Sequence, residues 1–158
     1  LVVMATGKVG VKARLRGAGR CEDVRVETEN GASVVLSGKV SSLSSEWKTC
    51  CIDAGGWTFE TPTASLAMGS QVRLRVLARD VSIAVEKPDS ISIRNRLQAE
   101  VEEIAAHPSE PAYQLVKLKC PNGEGRLVSR ILNQSVTELG LHPGSQVWAL
   151  VKASAVIM

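Results

Sequence analysis

Two short clusters of hydrogen-bond donors carry the most chemical information in this sequence. Ser92, Arg94 and Asn95 place a hydroxyl, a guanidinium and an amide within one short run. Lys152 and Ser154 add an ammonium and a second hydroxyl, at positions that share one face of a strand. A tetrahedral dianion requires such a shell of donors and cations, and neither cluster contains a carboxylate that would repel it. These five residues are therefore the candidate oxyanion-binding site.

Motifs that would indicate catalysis are missing from the sequence. It contains no GxxxxGK[ST] phosphate loop, no GxSxG elbow, no HExxH and no GxGxxG. The four cysteines form no CxxC pair, and His107 and His142 lie far from any cysteine pair. We therefore expect these residues to form no enzyme, to hold no metal site and to carry no cofactor. Adjacent Cys50 and Cys51 are expected on opposite faces of a strand, one in the core and one at the surface.

The overall composition is that of a folded protein. Of the 158 residues, 44% are hydrophobic and 22% are charged, and the net charge of +3 is too small to indicate a nucleic-acid partner. No apolar run approaches the ~20 residues that span a bilayer, and no leader peptide is recognisable. Four unpaired thiols would suit a reducing cytoplasm.

The rest of the sequence predicts mainly β-strands. After Gly31, short β-prone runs are separated by turns rich in glycine, serine, proline and aspartate. The predicted strands are residues 34–36, 40–43, 48–52, 57–60 and 72–77. This spacing is typical of a small barrel or sandwich. The charged stretch from Gly17 to Gly31 is predicted to be a linker.

A repeat divides the chain into two similar halves. Residues 69–81 match residues 144–156 at an offset of 75, and residues 38–40 match residues 99–101 more weakly. The fold class is therefore predicted to be all-β, with two tandem small antiparallel barrels. Leu77 and Arg79 occupy the positions equivalent to Lys152 and Ser154. Only the second half is therefore expected to bind an anion.

The second half contains an insertion that predicts a short helix. Ser135 and Glu138 have the spacing of a capping box, and Gly140 suits the left-handed position after a helix. Pro88 lies in a polar connector and cannot donate to a strand ladder, so we place the module boundary near it. The predicted units are residues 1–33, a terminal hairpin plus linker, then a first module at 34–87 and a second at 88–158.

Three motifs of the second module resemble the Mop type of TOBE domain, an OB-like β-barrel that binds molybdate or tungstate. They are SIRNxL from Ser92, SVxxLGL from Ser135 and VKASxV from Val151. More narrowly, residues 72–95 are similar to the C-terminal regulatory region of the ATP-binding subunit of bacterial molybdate ABC importers. Residues 1–9 resemble the last hairpin of such an ATPase domain, which implies that residues 1–33 are its remnant and the linker that follows.

This resemblance implies a cytoplasmic sensor of molybdate or tungstate that inhibits transport. The five candidate residues would be the ligands, with Arg94 and Lys152 neutralising charge and Ser92, Asn95 and Ser154 orienting the oxygens. The implied partners are a second copy, through a homodimer of the C-terminal modules, an upstream ATPase domain and a membrane permease subunit. The complex would lie at the inner membrane, and no nucleic acid is implied.

Two alternative functions remain open from the sequence. The same barrels could form a free-standing protein that stores or buffers molybdate and binds several anions per chain. An OB-type barrel could instead bind nucleic acid, which would require stacking aromatic side chains interleaved with basic ones. Aromatic residues make up only 3% of the chain, which argues against nucleic acid.

Overall fold

Antiparallel β-sheet dominates the structure, which is a computed structural model. It describes residues 11–14, 23–27, 31–63 and 65–158. Within those ranges the strands are β1 (Val11–Arg14), β2 (Asp23–Glu27), β3 (Gly31–Ser44), β4 (Thr49–Ala54), β5 (Trp57–Pro62), β6 (Gln71–Leu77), β7 (Ser82–Ala84), β8 (Asn95–Ala106), β9 (Tyr113–Lys119), β10 (Arg126–Leu132) and β11 (Gln146–Val151). A short helix, α1 (Asn133–Glu138), and two 3₁₀ helices, Ala78–Asp80 and Ala153–Ala155, complete these ranges. The predicted fold class, mainly β with one short helix in the second half, is confirmed.

The strands form two antiparallel sheets. The first has the order β1-β2-β3-β4-β5, and β6 pairs with the other edge of β3. The second has the order β10-β9-β8-β11-β7. No helix in the described part of the chain is long and apolar enough to cross a membrane.

Strand β3 covers two of the predicted strands, because residues 34–36 and 40–43 belong to one continuous element. The predicted break falls at Gly38, where an added Cβ would lie 2.7 Å from Ile52 Cγ2 and 2.9 Å from the carbonyl oxygen of Asp53. This glycine therefore permits close approach of β4 rather than a turn. The register shifts beyond Val40, as expected for a bulge that bends a long strand.

The linker prediction is wrong for residues 23–27, which form strand β2 and pair with β3. Valines at positions 24 and 26 alternate with charged residues at positions 23, 25 and 27, which is the period of a strand. The predicted hairpin at residues 1–9 lies outside the described residues. The module boundary near Pro88 remains a prediction.

The repeat predicted from the sequence appears in the strand pairing. Val34 pairs with Val76 on β6, and Asn95 pairs with Val151 on β11 at the equivalent position. Both long strands have a register shift at the same point, beyond Val40 in β3 and beyond Val101 in β8. The two halves are therefore built on one pattern.

The two halves exchange the segments that follow their last strands. Strand β7, which follows the first half, pairs with β11 of the second, so that Ser82 lies opposite Leu150. Ile157, which follows the second half, pairs with Arg75 of the first half through two backbone hydrogen bonds. The sequence repeat contained no sign of this exchange.

A single hydrophobic core joins both halves. It includes Phe59 and Leu74 from the first and Leu118 and Leu127 from the second, each 0% exposed. The Nε1 of Trp57 in β5 donates a hydrogen bond of 2.8 Å to the carbonyl oxygen of Gln98 in β8. The first module is therefore packed against the strand that begins the candidate site.

Helix α1 begins three residues earlier than the capping-box prediction requires. Leu132 is the N-cap residue and makes no side-chain cap, so the capping role assigned to Ser135 is wrong. The Asn133 backbone N–H donates instead to the carbonyl oxygen of Ala112 in the β8–β9 loop. The prediction for Gly140 is confirmed, since its φ is 61° and its N–H donates to the carbonyl oxygen of Thr137.

The adjacent cysteines lie on opposite faces of β4, as predicted. Cys50 is 1% exposed and belongs to the core, whereas Cys51 is partly exposed. Burial raises the pKa of the Cys50 thiol, and the neighbouring Cys51 raises it further. Cys50, Cys51 and Cys120 are free thiols.

Candidate functional site

The pairing of β8 with β11 brings the two donor clusters to the same end of the second sheet. The ladder between these strands ends at the pair Asn95 and Val151. Because the strands are antiparallel, Arg94 and Lys152 follow directly at that end. Two motifs more than 50 residues apart in the sequence, as SIRN and KAS are, thus become neighbours.

A cavity of about 210 Å³ opens at this end of the sheet. Its lining combines residues of both halves: Arg79, Asp80, Ser82, Ile93, Leu150, Lys152 and Ala155. Lys152 is thus the predicted ligand that the structure places in the cavity lining. Ser92, Arg94 and Ser154 are close in sequence to lining residues and are exposed, but they do not line the cavity.

Asn95 has a different environment from the other predicted ligands. It is 2% exposed, and its side chain faces strand β5 of the first module. The Oδ1 atom accepts a hydrogen bond of 2.7 Å from the backbone N–H of Glu60, and Nδ2 donates one of 2.9 Å to the Glu60 carbonyl oxygen. Both polar atoms of the amide therefore hold the two modules together.

Arg94 is paired with a carboxylate of the first module. Its Nε and Nη2 atoms each lie 3.2 Å from the Oε2 atom of Glu60, and the arginine side chain is 62% exposed. The sequence-based site contained no carboxylate, and the structure corrects this by bringing Glu60 to Arg94. Asp80 likewise lines the cavity beside Lys152.

Ser154 lies in the 3₁₀ helix that follows β11. The carbonyl oxygen of the preceding residue, Ala153, accepts a hydrogen bond of 3.4 Å from Oγ1 of Thr61 in β5. This contact holds the turn against the same edge of β5 that Asn95 contacts. Ser92 lies in the segment before β8 and is exposed. Ser92 thus precedes β8 and Ser154 follows β11, so both residues come next to the same end of the ladder.

Comparison with known proteins finds a family model that is similar to the second half of the chain. Residues 91–158 match the TOBE domain family. Residues 91–158, which carry this match, are referred to as the TOBE domain. The TOBE domain therefore contains all five of the predicted ligands, from Ser92 to Ser154.

Whole-chain relatives are molybdenum import ATP-binding proteins. The chain is 39% identical over 146 residues to ModC of Brucella abortus (strain 2308), which covers 90% of this chain and 40% of that protein. It is 35% identical over 158 residues to ModC of Pseudomonas fluorescens (strain Pf-5), with 98% and 41% covered. The chain thus spans about 40% of the length of these relatives.

A solved structure has a similar fold. It is the cytoplasmic molybdate-binding protein ModG in a crystal form with molybdate bound. The TM-score is 0.65 at 28% sequence identity, and the match covers 78% of this chain and 92% of that one. The likeness extends beyond the TOBE domain into the first half of the chain.

The first module lacks the donor set of the TOBE domain at the equivalent positions. Val34, which is 0% exposed, occupies the place of Asn95, and Leu77, 6% exposed, occupies the place of Lys152. Ser33 is equivalent to Arg94, and its Oγ atom accepts a hydrogen bond of 3.3 Å from Nε of Arg75. One site per chain remains a prediction.

Sequence reasoning missed the residues that the first module adds beside the TOBE domain. Glu60 contacts both Arg94 and Asn95, and Arg79 and Ser82 line the cavity. The repeat offered a signal for Arg79, because that residue is equivalent to Ser154. No comparable signal existed for Glu60, which reaches the site through a contact over 35 residues.

Proposed function

We propose that this chain is the molybdate- or tungstate-binding regulatory part of the ATP-binding subunit of an ABC importer. In this role it senses the cytoplasmic oxyanion and inhibits transport when the anion is plentiful. The TOBE domain, the molybdenum import relatives and the molybdate-bound ModG structure support this assignment. The observation that carries it is the register of β8 and β11, which sets Arg94 and Lys152 at one end of a sheet beside a cavity.

In this proposal Arg94 and Lys152 neutralise the charge of the dianion. An exposed guanidinium and an exposed ammonium are the groups that bind tetrahedral oxyanions best, since hydrogen bonds between ions are the strongest. Ser92 and Ser154 orient the oxygens by donating from their hydroxyls. Asn95 fixes the position of Arg94 through its bonds to β5 rather than donating to the anion.

Inhibition follows if a second copy completes the site. Four of the five residues are exposed at the end of the sheet, so a neighbouring TOBE domain can contribute further donors. An anion that binds across such a homodimer stabilises the arrangement in which the two copies are in contact. In the full-length importer this arrangement would hold the upstream ATPase domains apart, next to the permease subunit at the inner membrane.

Calorimetric titration of the 158-residue chain with molybdate, tungstate and sulfate tests the proposal. We expect molybdate and tungstate to bind at one anion per chain. Arg94→Gln and Lys152→Gln should each weaken binding by about tenfold or more, since each removes a charged hydrogen bond. Arg73→Gln and Lys39→Gln change exposed cations of the first module and should leave the affinity unaltered. Undetectable binding of all three anions would contradict the proposal.

A free-standing molybdate-binding protein is the second candidate, because the match to ModG covers 92% of that chain. Such a storage protein would form a closed oligomer and take up several anions per chain. The titration separates the two functions by stoichiometry, and light scattering on the same sample gives the size of the oligomer. A ratio well above one anion per chain in a large closed assembly favours storage.

A further inference from the structure

We propose that Glu60 of the first module limits the affinity of the TOBE domain for its anion by competing for Arg94. This inference rests on the proposed function, and it identifies a control element outside the TOBE domain. The five residues found from the sequence are all hydrogen-bond donors, so each of them would attract an anion. Glu60 adds an opposing charge.

The contact between Glu60 and Arg94 occupies one edge of the guanidinium. Both Nε and Nη2 of Arg94 lie 3.2 Å from the same carboxylate oxygen, Oε2. An oxyanion that approaches the exposed arginine meets a cation whose charge is already partly neutralised. It also meets a carboxylate of like charge within a few ångströms, and that repulsion opposes binding.

The backbone of Glu60 is held by the neighbour of Arg94, so its carboxylate stays within reach of the guanidinium even when the ion pair is open. The N–H and the carbonyl oxygen of Glu60 bond to the two polar atoms of the Asn95 side chain. Arg94 therefore contacts the side chain of Glu60, and Asn95 contacts the backbone of Glu60. The Glu60 side chain is 24% exposed, against 62% for Arg94, so Arg94 is the partner that is more accessible to an anion from solvent.

The pair is weak enough to be broken by a ligand. Ion pairs with this exposure stabilise a protein only slightly, whereas a dianion gains two cations at once, Arg94 and Lys152. The anion therefore displaces the carboxylate from Arg94 but binds less tightly than it would without Glu60. A sensor that must saturate only when oxyanion is abundant requires such a reduced affinity.

Glu60→Gln tests the inference without disturbing the contact between modules. The substitution removes the negative charge but keeps the backbone groups that bond to Asn95. We expect molybdate to bind about threefold to tenfold more tightly, the range set by a weak exposed pair and a nearby like charge. Glu110→Gln is the matched control, because Glu110 is exposed in the loop at the opposite end of β8.

A double-mutant cycle shows whether Glu60 acts through Arg94. In the Arg94→Gln background, Glu60→Gln should change the affinity clearly less than in the wild-type chain. Unchanged or weaker binding by Glu60→Gln, while the wild-type chain binds molybdate, would overturn this inference alone. Absence of binding by the wild-type chain would overturn the proposed function and the inference with it.

Discussion

The side chain of Asn95 pairs with the backbone of Glu60 in the way a neighbouring strand would. Its amide accepts from the Glu60 N–H at 2.7 Å and donates to the Glu60 carbonyl oxygen at 2.9 Å. Strand β5 is the last strand in its sheet order, so these backbone groups would otherwise lie on an unpaired edge. One buried amide therefore closes the edge of the first sheet and fixes the start of β8.

Asn95→Ala should destabilise the protein even when no anion is present. The substitution leaves the partly buried N–H and carbonyl oxygen of Glu60 without their partners, at a cost of about 2–4 kcal/mol. Urea unfolding followed by tryptophan fluorescence measures the loss. Asn133→Ala is the matched control, because Asn133 is exposed and bonds to Pro111 at the surface. Equal stability of the two variants would show that Asn95 is not a contact between modules.

The bulge of β8 carries an ion pair whose lysine is buried. Oε1 of Glu102 lies 3.3 Å from Nζ of Lys117, and Oε2 lies 2.7 Å from Nε of Arg126. The Lys117 side chain is 3% exposed. Glu102→Gln leaves this buried lysine without its counter-charge, so we expect a loss of about 2–4 kcal/mol. Chemical denaturation at neutral pH measures the change in stability.

The same strand provides the control for this prediction. Glu100 also pairs with a lysine of β9, at 2.8 Å from Nζ of Lys119, but that lysine is 39% exposed. Glu100→Gln should therefore leave the stability nearly unchanged, because water can solvate Lys119. If both substitutions have the same effect, burial is not what makes the Glu102 pair important.

The sequence predicted the parts of this structure that depend on local pattern or on repetition. Short β-prone runs between turn-forming residues predicted strands β3 to β6, and the 75-residue offset predicted two modules with equivalent last strands. Because β8 and β11 are antiparallel neighbours, their pairing places the two donor clusters at the same end of the sheet. Gly140 was predictable because a left-handed residue after a helix is a local requirement.

Contacts between the modules could not be predicted in the same way. The bonds from Asn95 to Glu60 join a side chain to a backbone, and any residue other than proline at position 60 would supply the same backbone groups. The exchange of β7 and Ile157 between sheets also has no sequence pattern that predicts it. Ser135 misled the capping prediction because the first turn of α1 is satisfied by the loop at Ala112.

Stability should fall as the pH is lowered through the titration of His107. Burial lowers the pKa of this histidine from the ordinary value of 6.5, and Arg130 lowers it further, while Glu110 opposes the shift. Its Nδ1 atom accepts hydrogen bonds from the N–H groups of Ser109 and Glu110, which protonation would break. The unfolded chain therefore binds the proton more readily, so stability is complete above pH 6.5 and is lost as the pH falls through the folded pKa.

Urea denaturation at about pH 7.5 and about pH 5 tests this dependence. In His107→Asn the amide oxygen can accept from the same N–H groups but does not titrate, so part of the pH dependence should disappear. His142→Asn changes an exposed histidine and should retain the wild-type dependence. An identical pH dependence in all three proteins would assign the effect to other groups.

Removal of the last two residues should destabilise the first module, although they follow the second. Ile157 accepts a hydrogen bond of 2.7 Å from the Arg75 N–H and donates one of 3.0 Å to the Arg75 carbonyl oxygen. Deletion of Ile157 and Met158 breaks both bonds and exposes that edge of β6, at an expected cost of about 1–3 kcal/mol. Deletion of Met158 alone keeps both bonds and is the control. Hydrogen–deuterium exchange at the Arg75 amide should accelerate only in the longer deletion. The reason is that the edge of β6 is paired with Ile157, which follows the other module.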